Sequence, residues 1–117
     1  MMHRTVVTLA LLFVVGVSTP RADARSDARD QVAFGIEVAQ LDLWNEALYR
    51  WQRAVELDPT YAPAWNNLGI GFEHEGRFDE AREAYETALD LDPDNPIIEQ
   101  NFDMFLEVSD RVSQNSR

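Results

Sequence analysis

Two stretches of this chain match each other at a spacing of 34 residues. Ala47, Trp51, Ala54 and Pro59 recur as Ala81, Tyr85, Ala88 and Pro93, and Phe34-Gly35 recurs as Leu68-Gly69. The run Ala54, Val55, Glu56, Leu57, Asp58, Pro59 returns as Ala88, Leu89, Asp90, Leu91, Asp92, Pro93. A period of this length with these residue types describes a pair of antiparallel helices whose apolar face is buried only by stacking on a neighbouring pair. Stacks of this kind bind other molecules more often than they perform chemistry.

The second copy reads Trp65, Asn66, Asn67, Leu68, Gly69, Ile70, Gly71, Phe72, then Gly76, Ala81, Tyr85, Ala88 and Pro93. It closely resembles the tetratricopeptide repeat, whose pattern is a Trp, a Leu-Gly pair, an aromatic, then Ala, aromatic, Ala and Pro. The first copy is similar but looser: Gln31 stands where the repeat prefers Trp, Val38 where it prefers an aromatic, and Asp42 where the second copy has Gly76. The resemblance covers about residues 28 to 93. It implies an all-α, helix-turn-helix solenoid of about five helices in a right-handed superhelical stack.

Each repeated residue also has a local reason. Gly35 and Gly69 lack a Cβ and allow two helices to approach; Gly76 suits the positive φ that ends a helix, and Asp42 tolerates it. The four repeated alanines keep the second helix of each pair thin, while Trp51 and Tyr85 fill the space between pairs. Asn45 and Asp79 are expected as N-caps of those second helices. Asp58-Pro59 and Asp92-Pro93 end them, since a residue before proline disfavours the helical region. The expected helices run about 28–41, 45–57, 62–75 and 79–91. Asn95-Pro96 then opens a further helix with Ile98, Phe102, Phe105, Ser109 and Val112 at helical spacing. It reads as a capping helix that shows water a polar outer face.

The chain thus divides into an N-terminal segment 1–24, a repeat domain 25–113 (repeats at about 28–61 and 62–95, capping helix at about 96–113) and a polar tail 114–117. Residues 25–30 either extend the first helix or form a short tether. Val6 to Val17 is uncharged, follows Arg4, and leads to the small-residue site Ala22-Asp23-Ala24. This pattern fits a signal peptide cleaved after Ala24, with an uncleaved anchor as the rival. Absence of cysteine excludes a lipoprotein anchor and disulfides, and all ten basic side chains are arginine. The expectation is an exported bacterial protein of the periplasm or the outer face of an inner membrane. Two repeats plus a cap lie near the lower limit of about three repeats for such stacks, so a partner or self-association would add stability.

The whole chain carries a net charge of −11. Removal of residues 1–24 leaves eight arginines against 20 acids, a net −12. That argues against nucleic acid and anionic lipid surfaces as partners and permits a basic one, with solubility as the plainer role. In tetratricopeptide proteins the first helix of each pair lines a concave groove. Adding 34 along the chain gives the rows Ile36, Ile70, Met104; Val32, Asn66, Gln100; Ala33, Asn67, Asn101; and Gln40, His74, Val108, with Glu73 and Glu107 beside the last. The resemblance therefore implies a partner-binding groove built from Val32, Ile36, Asn66, Asn67, Ile70, His74, Gln100, Asn101 and Met104. Its apolar stripe would seat side chains of a protein or peptide, and its amides would pair with the backbone. The plainer role of the same residues is packing between helices. The cationic clamp that some relatives use for a C-terminal carboxylate is missing: its positions hold Val32, Ile36, Asn67, Ile97 and Asn101.

No catalytic residue, metal site or cofactor site is expected. Asp90, Asp92, Asp94 and Glu99 mimic the start of a calcium loop, but Asn95 and Asn101 occupy the positions that need Gly and Glu. A single histidine beyond His3, with no cysteine, does not build a usual zinc site. The mature serines (Ser26, Ser109, Ser113, Ser116) lie near the termini without a base. Trp44, Trp51 and Trp65 are assigned to core packing. The reading is a non-enzymatic adaptor or assembly subunit, with a self-associating structural subunit as the alternative.

Overall fold

The structure, a computed structural model, describes residues 21–117. The apolar run assigned to an export signal lies outside the described residues. Five helices follow in order: α1 Arg21–Gln40, α2 Trp44–Leu57, α3 Ala62–His74, α4 Phe78–Leu91 and α5 Pro96–Asn115. Residues 25–30 continue α1 as helix, so the extension was the correct alternative to a tether. No described helix is long and apolar enough to cross a membrane.

Helices α1 and α2 form one hairpin, α3 and α4 the next, and α5 lies on α4. Contacts also join α1 to α3 and α3 to α5, whereas among the described residues no such contact joins α2 to α4. The stack therefore bends toward α1, α3 and α5, which share its inner face.

The connections explain the hairpins. Asp42 and Gly76 take positive φ values of 64° and 74°. Leu43 N–H then donates to Val38 O at 3.0 Å and Arg77 N–H to Phe72 O at 2.9 Å, closing the carbonyl end of the preceding helix. This is the Schellman arrangement. Leu43 and Arg77 are at once the last residue of that motif and the N-cap of the next helix. The expected caps Asn45 and Asp79 are thus corrected. The turn leaves no free residue between the two helices, and both fall inside the first helical turn. Asp79 still meets the positive end of the α4 dipole. Asn95 does cap as expected, its Oδ1 accepting from Ile97 and Ile98 N–H at 3.0 and 3.4 Å.

Packing between the pairs rests on two aromatic rings. Trp51, Tyr85, Phe105 and Ile98 are the largest fully buried side chains, and Ala47, Ala54, Ala81 and Ala88 are wholly buried. A Cβ on Gly35 would stand 2.3 Å from Trp51 Nε1, and one on Gly71 would stand 3.1 Å from the same ring. Trp51 is therefore held between the glycine surfaces of α1 and α3, its indole N–H donating to Val32 O at 3.3 Å. Tyr85 repeats the arrangement against Gly69, with Phe105 of α5 on its other side at 5.4 Å between ring centroids.

A polar joint ties α1 to the connection between the hairpins. Arg25 pairs with the Asp58 carboxylate and donates to Thr60 Oγ1 at 3.0 Å, with its guanidinium 5.0 Å from the Tyr61 ring centroid. Asp58 Oδ1 also accepts from Thr60 N–H and Oγ1, which fixes the turn after α2. The Arg25 hydrogen bond, helped by those from Thr60 and opposed by burial, holds the Asp58 carboxyl below its usual range.

Candidate functional site: the inner groove

The inner face carries two adjoining depressions. One, of about 430 Å³, is lined by Trp44, Ile70, Glu73, His74, Phe78 and Val108. The other, of about 290 Å³, is lined by Ile36, Ala39, Gln40, Trp44, Trp51, Asn67 and Ile70. Trp44 and Ile70 belong to both and form the ridge between them.

Of the sequence-derived groove residues, Ile36, Asn67, Ile70 and His74 line these depressions. Ile36 is 40% exposed and lines the smaller depression with the half-buried Ile70, whereas Met104 on α5 is 58% exposed and lines neither. Large apolar side chains left open in this way on adjacent helices give a surface that can seat apolar groups. Asn67 donates through Nδ2 to Pro63 O at 2.8 Å, which turns its amide and leaves Oδ1 to accept. Gln100 is exposed on the outer part of α5.

Two expected groove residues do other work. Val32 is buried in the core, where its carbonyl receives the Trp51 N–H. Asn66 is buried too, and its Oδ1 accepts from Asn101 Nδ2 at 3.0 Å. That amide pair locks α3 to α5 and satisfies a buried polar group. Neither Val32 nor Asn66 is open to a partner, and Asn101 is partly committed. Val32 and Asn66 turn away from the groove because they face the neighbouring helix.

Trp44 packs against the core, edge-on to Trp51, and also reaches the groove. Assigned to the core, it is half-buried and lies flat on His74, with centroids 3.8 Å apart and planes inclined by 15°. Trp44 and Phe78 open α2 and α4 at equivalent repeat positions, where each leans across the mouth of its hairpin into the inner face. The 34-residue repeat pairs Trp44 with Phe78, but arithmetic confined to the first helices left both out of the groove.

Glu73 supplies the charge at this site. Its Oε2 accepts from Tyr85 Oη at 2.9 Å. Burial, then the adjacent carboxylate, pushes the Tyr85 phenol well above its usual value, so it remains a donor. The core side chain thereby fixes a carboxylate on the wall of the larger depression. Neither depression is lined by an arginine, and among the described residues no cluster of three metal-ligating side chains is present. The arrangement can hold apolar groups and a cation.

Comparison with known proteins agrees with the repeat geometry. The family model described as the tetratricopeptide repeat matches residues 62–95, and a second, for the TPR repeat, matches residues 40–72. The chain is 34% identical over 65 residues to the tetratricopeptide repeat domain-containing protein PYG7, chloroplastic, of Arabidopsis thaliana. That match covers 56% of this chain and 22% of the relative, so the chain spans about a fifth of that protein's length. In structure it is similar to the Arabidopsis OM64 TPR domain, with a TM-score of 0.68, 18% identity, and coverage of 75% of this chain and 73% of that one. It is also similar to the second TPR domain of the human RPAP3 protein, solved in complex with an HSP70 peptide. There the TM-score is 0.63 at 23% identity, covering 68% of this chain and 66% of that one. These likenesses establish the fold: an all-α stack of a class that generally mediates protein–protein contact. With two matched repeats whose glycines, alanines and aromatics pack as their spacing requires, this chain is a tetratricopeptide-repeat protein.

Proposed function

We propose that this protein is an exported, non-catalytic adaptor or assembly subunit that binds a protein or peptide along its inner groove. The observation that carries this reading is the pair of adjoining depressions sharing the Trp44–Ile70 ridge, preformed and largely apolar at their floor. Preformed grooves of this kind bind by seating side chains without first paying for their own ordering. The RPAP3 domain, which holds a peptide, supports a peptide as one form of the partner. The ligand class differs, because the cationic positions that would clamp a terminal carboxylate are Val32, Ile36, Asn67, Ile97 and Asn101 here. Export rests on the sequence pattern of residues 1–24 and is part of the proposal.

Affinity capture from a cell-envelope extract tests the reading, with the chain beginning at Arg25 compared with its Ile70→Asp variant at matched helicity. Loss of a specific partner in the variant is expected; equal capture by both would move the contact off the inner face.

Self-association through the terminal faces is the second reading. Phe34, Leu41, Leu43 and Tyr49 are exposed large apolar groups near the first hairpin. The repeat positions argue against it. Glu37 stands where Gly71 lets α2 settle on α3, and Asp103 stands where Gly69 receives Tyr85. A copy stacked by the repeat's own geometry would meet a carboxylate at either end.

A further inference from the structure

We infer that the larger depression selects partner segments in which an aliphatic side chain is closely followed or preceded by lysine or arginine. The inference rests on the groove reading above and gives it a chemistry. The apolar half of the site comes from Ile70, Phe78, Val108 and the Trp44 ring, which together offer a wall for an aliphatic group. Glu73 stands in the same wall.

What makes Glu73 more than one acid among many is its anchor. Exposed carboxylates on helices swing freely and lose rotamer entropy when they pair. Glu73 is half-buried, and the buried Tyr85 already holds one of its oxygens at 2.9 Å. The entropy of ordering is spent on folding, and the carboxylate lines the depression with its rotamer set. Position 39 in the first repeat is Ala39, so the smaller depression has no counterpart to this carboxylate. The charge is thus a property of one junction, the one between α3 and α5.

The surroundings favour the same sign. Glu107 precedes the lining residue Val108 and is exposed, and the four ion pairs among the described residues all employ other acids. A cation at this place meets the Glu73 carboxylate, with His74 the other titratable group and no competing arginine in the lining. An acidic segment would have to place its charge beside Glu73 in a half-buried setting, where repulsion is poorly screened. The occupant is therefore a basic-aliphatic segment, and an acidic tail is excluded.

Selection from a random peptide display library by the full chain tests this, run beside Glu73→Gln and Ile70→Asp with the helicity of each verified. Gln keeps an acceptor for Tyr85 Oη and removes only the charge. The expected result is a consensus with an aliphatic residue and a lysine or arginine within two positions. The basic preference should be about threefold or more at low salt and should fade near 1 M salt. In Glu73→Gln the aliphatic preference should remain and the basic one should vanish; Glu73→Lys should reverse it toward acids. An aliphatic consensus without a basic preference, or a basic preference that survives Glu73→Gln, would overturn this inference and leave the groove reading intact. No consensus from the wild type, or the same one from Ile70→Asp, would overturn the groove reading and this inference together.

Discussion

Tyr85 Oη donates to Glu73 Oε2 across 2.9 Å and so connects the most deeply packed ring of the second hairpin to the wall of the inner groove. The phenol comes from α4 and the carboxylate from α3, twelve residues apart, with the ring seated where Gly69 leaves room. One contact thus serves packing and recognition together. Its removal separates the two.

Tyr85→Phe leaves the ring in place and deletes the hydrogen bond. Its hydroxyl lies in a largely buried place, so the loss should be about 1 kcal/mol of stability, read from urea unfolding. Glu73 then loses its anchor. Any charge-selective binding should weaken while the helical content stays the same. A variant as stable as the wild type would show that the hydrogen bond contributes nothing net.

The glycines under the two rings should differ in what they tolerate. A Cβ at position 35 falls 2.3 Å from Trp51 Nε1, against 2.9 Å from Tyr85 Cε1 at position 69. Trp51 cannot retreat, because Gly71 closes on its other side. Gly35→Ala should therefore cost about 3 kcal/mol or more, at the upper end for overpacked sites, and Gly69→Ala about 1 to 2 kcal/mol. Parallel denaturant titrations check the order; equal costs would mean that the indole repositions freely.

How much of this was legible in the residues follows from which quantities repeat. Gly35, Trp51, Gly69 and Tyr85 recur at one spacing because each pair fills one gap, so the hairpins and their order could be read directly, while the seating of each ring on a glycine came from the structure. Turn chemistry was legible only in part. Positive φ at Asp42 and Gly76 was expected, but the fusion of one helix's closing motif with the next helix's cap depends on backbone bonds from Leu43 and Arg77 that no side chain advertises. Of the row at positions 36, 70 and 104 that the same arithmetic names, Ile36 and Ile70 line the depressions and Met104 does not. Burial of Asn66 against Asn101 was not, because it depends on how closely α5 approaches α3. Trp44 was legible in part: it packs against the core as its residue type suggests, and the stacking on His74 places it at the rim as well.

Acid should weaken the joint between α1 and the first repeat's end. Asp58 is held below its usual carboxyl range chiefly by Arg25, with burial opposing. A depressed folded-state value contributes stability that is complete above the unfolded carboxyl range and is lost as pH falls through the folded value. The loss should begin below about pH 4 and amount to about 1 kcal/mol, reduced from a buried pair's worth because the Arg25 side chain is 42% exposed. Asp58→Asn keeps an amide oxygen for Thr60 and removes the charge, so it should show that loss at neutral pH and a flatter profile below. Thermal unfolding of both proteins between pH 3 and 7 is the check, within about the range where carboxylates titrate; parallel profiles would assign the acid response to other groups.

The ends of the stack should keep the protein a monomer. In the interior junction α2 settles on α3 because Gly71 offers no side chain to Leu48 and Trp51, and α4 settles on α3 because Gly69 offers none to Tyr85. Thirty-four residues from these glycines stand Glu37 and Asp103, both exposed. A second copy arriving at α1 in the manner of α2 on α3, or at α5 in the manner of α4 on α3, would lay apolar surface on Glu37 or Asp103. Burying either carboxylate unpaired costs more than a small apolar contact returns. Sedimentation velocity should therefore give one species of monomer mass from low micromolar to the highest soluble concentration. Glu37→Gly and Asp103→Gly together should be the change that allows larger species. A wild-type chain that already associates with concentration would show that Phe34, Leu41 and Tyr49 outweigh the two acids, and would restore the structural-subunit reading.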